Sequence, residues 1–176
     1  MANSQLGAAR LFASNYQIVL CDDPRHPLTD ADNWTKEKSA QGFAGHPLFR
    51  MVGTEADRND HWIELYAADR APPLEEWQRV TCVHFRSLTG RAHVMSIIDQ
   101  VPSISVELPK GDYAAYFAAQ NLGIDQSSRG EGRKLSDAEL AARKDLEWYR
   151  IYLVPGAPVQ EGRLKDAPKP TGSVSG

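Results

Sequence analysis

Cysteine is scarce in this chain, basic residues do not outnumber acidic ones, and no long apolar run occurs. Each shortage excludes something. Two cysteines, Cys21 and Cys82, cannot make a disulfide framework, and they form neither a CxxC pair nor a Cys/His cluster. Redox chemistry and a structural zinc site are therefore not expected. Twenty Lys and Arg stand against 23 Asp and Glu, giving a net charge of −3. Nucleic-acid binders draw most of their affinity from basic side chains set against phosphates, so direct nucleic-acid binding is not expected either. No stretch approaches the roughly 18 apolar residues of a membrane helix. The first ten residues lack a basic start followed by an apolar run, so no secretory signal is read there. That points to the cytoplasm, a reducing compartment, with both thiols free. Cys82 lies in an apolar run and reads as a small buried hydrophobe.

Catalytic signatures are missing too. There is no GxSxG and no Ser or Cys in a motif that activates it. Gly123, Gly130 and Gly132 fit neither phosphate-loop spacing. The five histidines, His26, His46, His61, His84 and His93, form no HxH or HxxxH pair. His84 and His93 fall on consecutive expected strands and could approach each other; otherwise these are ordinary strand histidines. No enzyme activity, metal or cofactor is expected.

What is present is a globular balance: 176 residues, 41% hydrophobic and 24% charged. That suits a single domain over 1–156, followed by a Pro-, Gly-, Lys- and Ser-rich tail over 157–176 that reads as flexible. Residues 1–9 read as a loose lead-in. Leu11 to Leu20 (LFASNYQIVL) reads as one strand, with Phe12, Tyr16, Ile18 and Leu20 on one face. Residues 22–46 read as a long irregular connection. Further strands are expected over 47–54, 60–67, 79–86, 91–98, 103–108, 113–119 and 147–154. Polar or glycine-bearing turns separate them, and those at 55–59, 88–90 and 109–112 read as hairpins. Glu75 to Trp77 reads as one helical turn. Residues 121–134 read as mobile. Ser136 and Glu139 form a capping box, which starts a helix over 136–145 with Glu139 and Arg143 spaced to pair. The expected fold is an antiparallel β-sandwich of about eight strands with one short helix near the C-terminus.

Carboxylates crowd the 22–46 connection: Asp22, Asp23, Asp30 and Asp32, beside Trp34 and with Phe43 further on. Charge can steer a basic partner and aromatics can anchor it, so these six are the candidate partner-binding residues. A calcium loop is a second reading, but Asp30 and Asp32 lack the glycine and terminal glutamate of an EF-hand. A merely solvated loop is the third.

Five segments carry a family likeness. They are Ser14 to Ile18 (SNYQI), Trp34, Gln41 to Phe43, the strand from Arg79 to Phe85, and Val106 to Tyr113 (VELPKGDY) with Tyr116 and Phe117 after it. In order and spacing the chain resembles the competence protein J (ComJ-like) family of cytoplasmic nuclease inhibitors. The resemblance implies a protein partner, a nuclease, blocked by direct binding. It assigns no role to the aspartates. The capped helix and the 121–134 segment lie outside the likeness. The alternatives are a small-molecule-binding or catalytic β-barrel, and a structural sandwich.

Overall fold

The computed structural model describes residues 3–57, 59–124 and 135–167. Among the described residues, eleven strands form two packed sheets. In chain order they are β1 (Ser4–Ala13), β2 (Gln17–Cys21), β3 (Phe43–His46), β4 (Phe49–Gly53), β5 (Asn59–Ala67), β6 (Arg79–Ser87), β7 (Arg91–Met95), β8 (Ile104–Glu107), β9 (Gly111–Gln120), β10 (Trp148–Pro155) and β11 (Gly162–Asp166). Two short helices, α1 (Lys36–Gln41) and α2 (Asp137–Ala141), and two 3-10 turns complete the fold. The six-stranded sheet runs β1-β5-β10-β9-β6-β11 and the five-stranded sheet β3-β4-β2-β7-β8.

Alternation builds the core. Ile63 and Leu65 on β5, Val83 and Phe85 on β6, Phe117 on β9 and Ile151 on β10 point inward from the larger sheet. Ile18 and Leu20 on β2 and Val94 on β7 meet them from the smaller one. The expected sandwich is therefore present, with more strands than expected and one parallel pair, β5 with β10.

The connections depart most from expectation. Leu11 to Leu20 is not one strand: β1 ends at Ala13, the chain turns at Asn15 and Tyr16, and β2 enters the other sheet. Phe12 and Tyr16 are exposed while Ile18 and Leu20 are buried, because the turn breaks the period-2 register. The segments 55–59, 88–90 and 109–112 are not hairpins either; each carries the chain across from one sheet to the other. A polar turn between two amphipathic strands looks the same whether the chain returns beside itself or crosses the core. Residues 4–9 are strand, not lead-in, paired to β5. Within the expected tail, Gly162–Asp166 forms β11 against β6; Arg79 fixes it, Nε donating to Asp166 at 2.8 Å. Residues 168–176 lie outside the described residues, as do 125–134 of the segment read as mobile.

The capping box at Ser136 and Glu139 is formed, but α2 stops at Ala141. Arg143, at φ +58, lies outside the helical region; its guanidinium reaches Glu64 at 3.4 Å and lies over the Trp148 ring. The expected turn at 75–77 is the 3-10 turn Leu74–Glu76. His84 and His93 do not approach. They sit on opposite outer faces, His84 against Asp112 at 2.8 Å and His93 against Ser105 at 2.8 Å. Cys21 and Cys82 are free and buried; burial, first of all, pushes both thiols up to about 12.

One end of the sandwich is tied by a buried carboxylate. Glu147 is fully buried and accepts backbone N–H groups of Glu55 (3.0 Å), Ala56 (2.8 Å) and Gly123 (2.8 Å). The Tyr149 hydroxyl also donates to it, and His61 Nε2 lies 3.7 Å away. Burial alone would raise the carboxyl; His61, Tyr149 and the backbone donors overcome it and hold the group down at about 2. A folded-state pKa below the usual value of 4.5 means the stabilisation is complete above that pH. It is lost as pH falls toward the folded value. We expect Glu147→Gln to cost about 3 kcal/mol at neutral pH. Urea titrations should show the gap between the variant and the parent protein closing as pH falls from about 4.5 to about 2. A gap that stays constant with pH would refute this account.

Candidate partner-binding face

The 22–42 connection is built onto the outer face of the five-stranded sheet. Val19, Cys21, Ala44, Phe49, Met51 and Met95 form an apolar cluster there, and Trp34 packs against it. Trp34 Nε1 donates to Gln17 Oε1 at 2.9 Å, which fixes the indole. Thr29 and Thr35 start the two short helical pieces, the 3-10 turn Asp30–Asp32 and α1. Gly42 closes α1 at φ +86, where a Cβ would stand 2.7 Å from Arg163 Nε. Only glycine fits that turn without displacing Arg163.

The four aspartates do different work. Asp22 is buried. One of its oxygens accepts from Ser87 Oγ (3.0 Å), Leu88 N (3.0 Å), Thr89 N (3.0 Å) and Thr89 Oγ1 (2.8 Å). The other lies 3.2 Å from His26 Nε2. Burial opposes its charge, but the bonds from Thr89, His26 and Ser87 outweigh that and hold the carboxyl below the usual range. It pins the corner at which β6 crosses to β7. Asp23 is half-buried and bound by Arg25, whose hydrogen bonds hold it at about 2. Asp32 is buried and accepts from Thr29 N at 2.7 Å; that backbone bond, first, keeps its carboxyl below the usual range. Asp30 is exposed on the same turn. Phe43 is half-buried at the edge of the main core, with the Arg50 guanidinium 5.2 Å from its ring centre. The connection thus brings Asp30 and Asp32 onto one turn, sets Asp22 inward beneath the β6–β7 corner, and ends with Phe43 turned toward the main core.

Beside Trp34 lies a feature that no sequence motif marked. A cleft of about 280 Å³ is lined by Asn15, Tyr16, Trp34, Ser39, Thr54 and Arg163. It falls just short of the roughly 300–1,000 Å³ of small-molecule sites. Tyr16 is 55% exposed at its rim. Asn15 between two apolar runs was the one available signal for the turn, because asparagine tolerates positive φ. The expected continuous strand hid it. Arg163 lay in the expected tail.

Among the described residues, no group of three or more His, Cys, Asp or Glu side chains could hold a metal ion, and no helix is long and apolar enough to cross a membrane. The fold is a two-sheet β-sandwich with the 22–42 connection and its cleft on the outer face of the smaller sheet. Within that class the chain belongs to the competence protein J family, whose model matches residues 10–141. The chain is similar to the crystal structure of ComJ from Bacillus subtilis, described as an inhibitor of the DNA-degrading activity of NucA. The two share 17% identity at a TM-score of 0.62, over 89% of this chain and 100% of that one. It is also similar to a protein described as crocagin biosynthetic gene J, with 12% identity, a TM-score of 0.50, and coverage of 88% and 99%. At these identities the likenesses establish the fold. No curated protein sequence matches the chain.

The unequal placement of the aspartates is testable by urea denaturation. Asp22→Asn should cost about 2–4 kcal/mol, because it weakens a five-contact acceptor in the interior. Asp30→Asn should stay within about 0.5 kcal/mol of the parent. Equal effects would show that Asp22 is not the corner's anchor.

Proposed function

We propose that this chain is a protein inhibitor that binds a nuclease in the cytoplasm and blocks it, and that it is not itself an enzyme. Membership of the competence protein J family is the observation that carries this reading. The solved relative described as an inhibitor of a DNA-degrading activity supports it. The chemistry is consistent with it. A nuclease cleft is built to receive phosphates, and carboxylates on a neighbouring protein can occupy the same field.

The 22–43 segment is our candidate for the contact. Asp30 offers a solvent-facing carboxylate, and Asp23 stays ionised beside Arg25. Asp22 and Asp32 serve the same face by fixing its shape, through Thr89 and Thr29 respectively. Trp34, fixed by Gln17, supplies the aromatic surface, while Phe43 packs toward the main core beneath Arg50. Contact groups that are already ordered lose little freedom on binding, which favours affinity.

The test is a pull-down from the source organism's lysate and culture fluid, followed by DNA digestion with the captured nuclease, with and without added protein. Digestion should fall and reach its floor at a fixed molar ratio. Asp30→Asn should slow association and weaken its dependence on salt, as expected of a charge at an interface rim. If no nuclease is captured and digestion continues unchanged, the reading fails. If the double replacement of Asp30 and Asp32 by Asn leaves affinity intact, the acidic part of the face is wrong.

A further inference from the structure

The turn between β1 and β2 carries a side chain that its backbone disfavours. Asn15 and Tyr16 both lie in the left-handed region, at φ +58 and +57. Ser14 and Gln17 bridge across them, so this is a two-residue turn of the mirror-image kind. Asparagine suits the first position and glycine the second. A bulky aromatic in the second is an outlier.

The turn is not loose. Thr54 N donates to Tyr16 O at 2.8 Å, and Tyr16 N donates to Asp57 Oδ1 at 3.2 Å. Backbone held this firmly would accept glycine without loss of any of these bonds. Nor does burial compensate, since the residue is 55% exposed. A residue unfavourable for the backbone and poorly buried has no explanation within the fold. Strained positions that surrounding structure enforces are a feature of ligand-clamping sites.

The surroundings suit a contact. Tyr16 shares its cleft with Trp34, which Gln17 fixes from below. Tyrosine brings a large, stiff, amphipathic contact at small entropic loss. The ring face attracts cations, and the Asp57 carboxylate binds the backbone N–H of the same residue, so the turn holds a carboxylate as well as the ring. An exposed aromatic ring on a turn that also holds a carboxylate suits an Arg or Lys side chain, the kind of group a phosphate-receiving cleft displays.

We propose that Tyr16 is the anchor by which this chain holds its nuclease, its ring presented outward by the Asn15–Tyr16 turn to a basic side chain of the partner. This rests on the inhibitor reading above. The test compares the parent protein with Tyr16→Gly, Tyr16→Asn and Tyr16→Phe, each titrated against the nuclease captured by the parent and each melted thermally. Glycine and asparagine tolerate the positive φ, so these two variants should melt at or above the parent temperature. Their inhibition should nonetheless weaken by roughly tenfold or more. Tyr16→Phe keeps the ring and should stay within about threefold of the parent. Tyr16→Gly inhibiting as well as the parent would overturn the proposal, as would lost inhibition that tracks a lowered melting temperature. So would a parent dimer that Tyr16→Gly dissolves while inhibition persists. A parent protein that inhibits nothing fails in its own arm, and removes the inhibitor reading together with the anchor.

Discussion

The Asp22 carboxylate holds the point where the two sheets, the corner and the outer connection meet. A buried anion is tolerated only when donors surround it, and here the donors come from Ser87, Leu88, Thr89 and His26. The first three belong to the crossing from β6 to β7, and the last to the connection that leaves β2. One side chain therefore sets how the chain changes sheets and where the acidic segment begins. Trp34 then seals that segment against Val19, Cys21 and Met51. The proposed contact face inherits its position from an interaction in the interior.

Glu147 does comparable work at another corner. It collects the 55–56 crossing, Gly123 and its own strand neighbour Tyr149 around one acceptor. Chains that repeatedly cross a sandwich need such fixtures, because crossings expose backbone donors that no ladder satisfies. The same logic explains Arg79, buried at the base of β6 and bound to Asp166 on β11 and to Glu55 on the β4–β5 crossing.

Strand content was readable from clean alternation at 103–108, where Ile104, Val106 and Leu108 share one face, and from β-branched and aromatic runs bounded by turn residues at 60–67 and 79–86. The capping box at Ser136 was readable because its two hydrogen bonds are local. Pairing was not. Nothing near Gly90 or Gly111 says that the next strand lies across the core. β11 was hidden because Gly162 to Asp166 has little apolar alternation and owes its place to Arg79. Of the acidic site, the residue types were legible but their duties were not: Asp22 and Asp30 look alike in sequence, and only distant donors distinguish them. Tyr16 escaped notice because a strand-like pattern ran through the turn that displays it.

The parallel pairing of β5 with β10 sets Trp62 beside Trp148 and Tyr66 beside Tyr152. Those partners are far apart along the chain, and β10 lies between β5 and β9 at the middle of the larger sheet. During synthesis, then, β5 can zip to β1, and β6 to β9, as two separate ribbons. Neither can join the other until the ribosome has released residues beyond Pro155. The sheet is completed only when β10 is inserted as its central strand, so the joining of the two ribbons waits for that strand. Until that moment the inner edges of both ribbons stand open to any other strand in the cell.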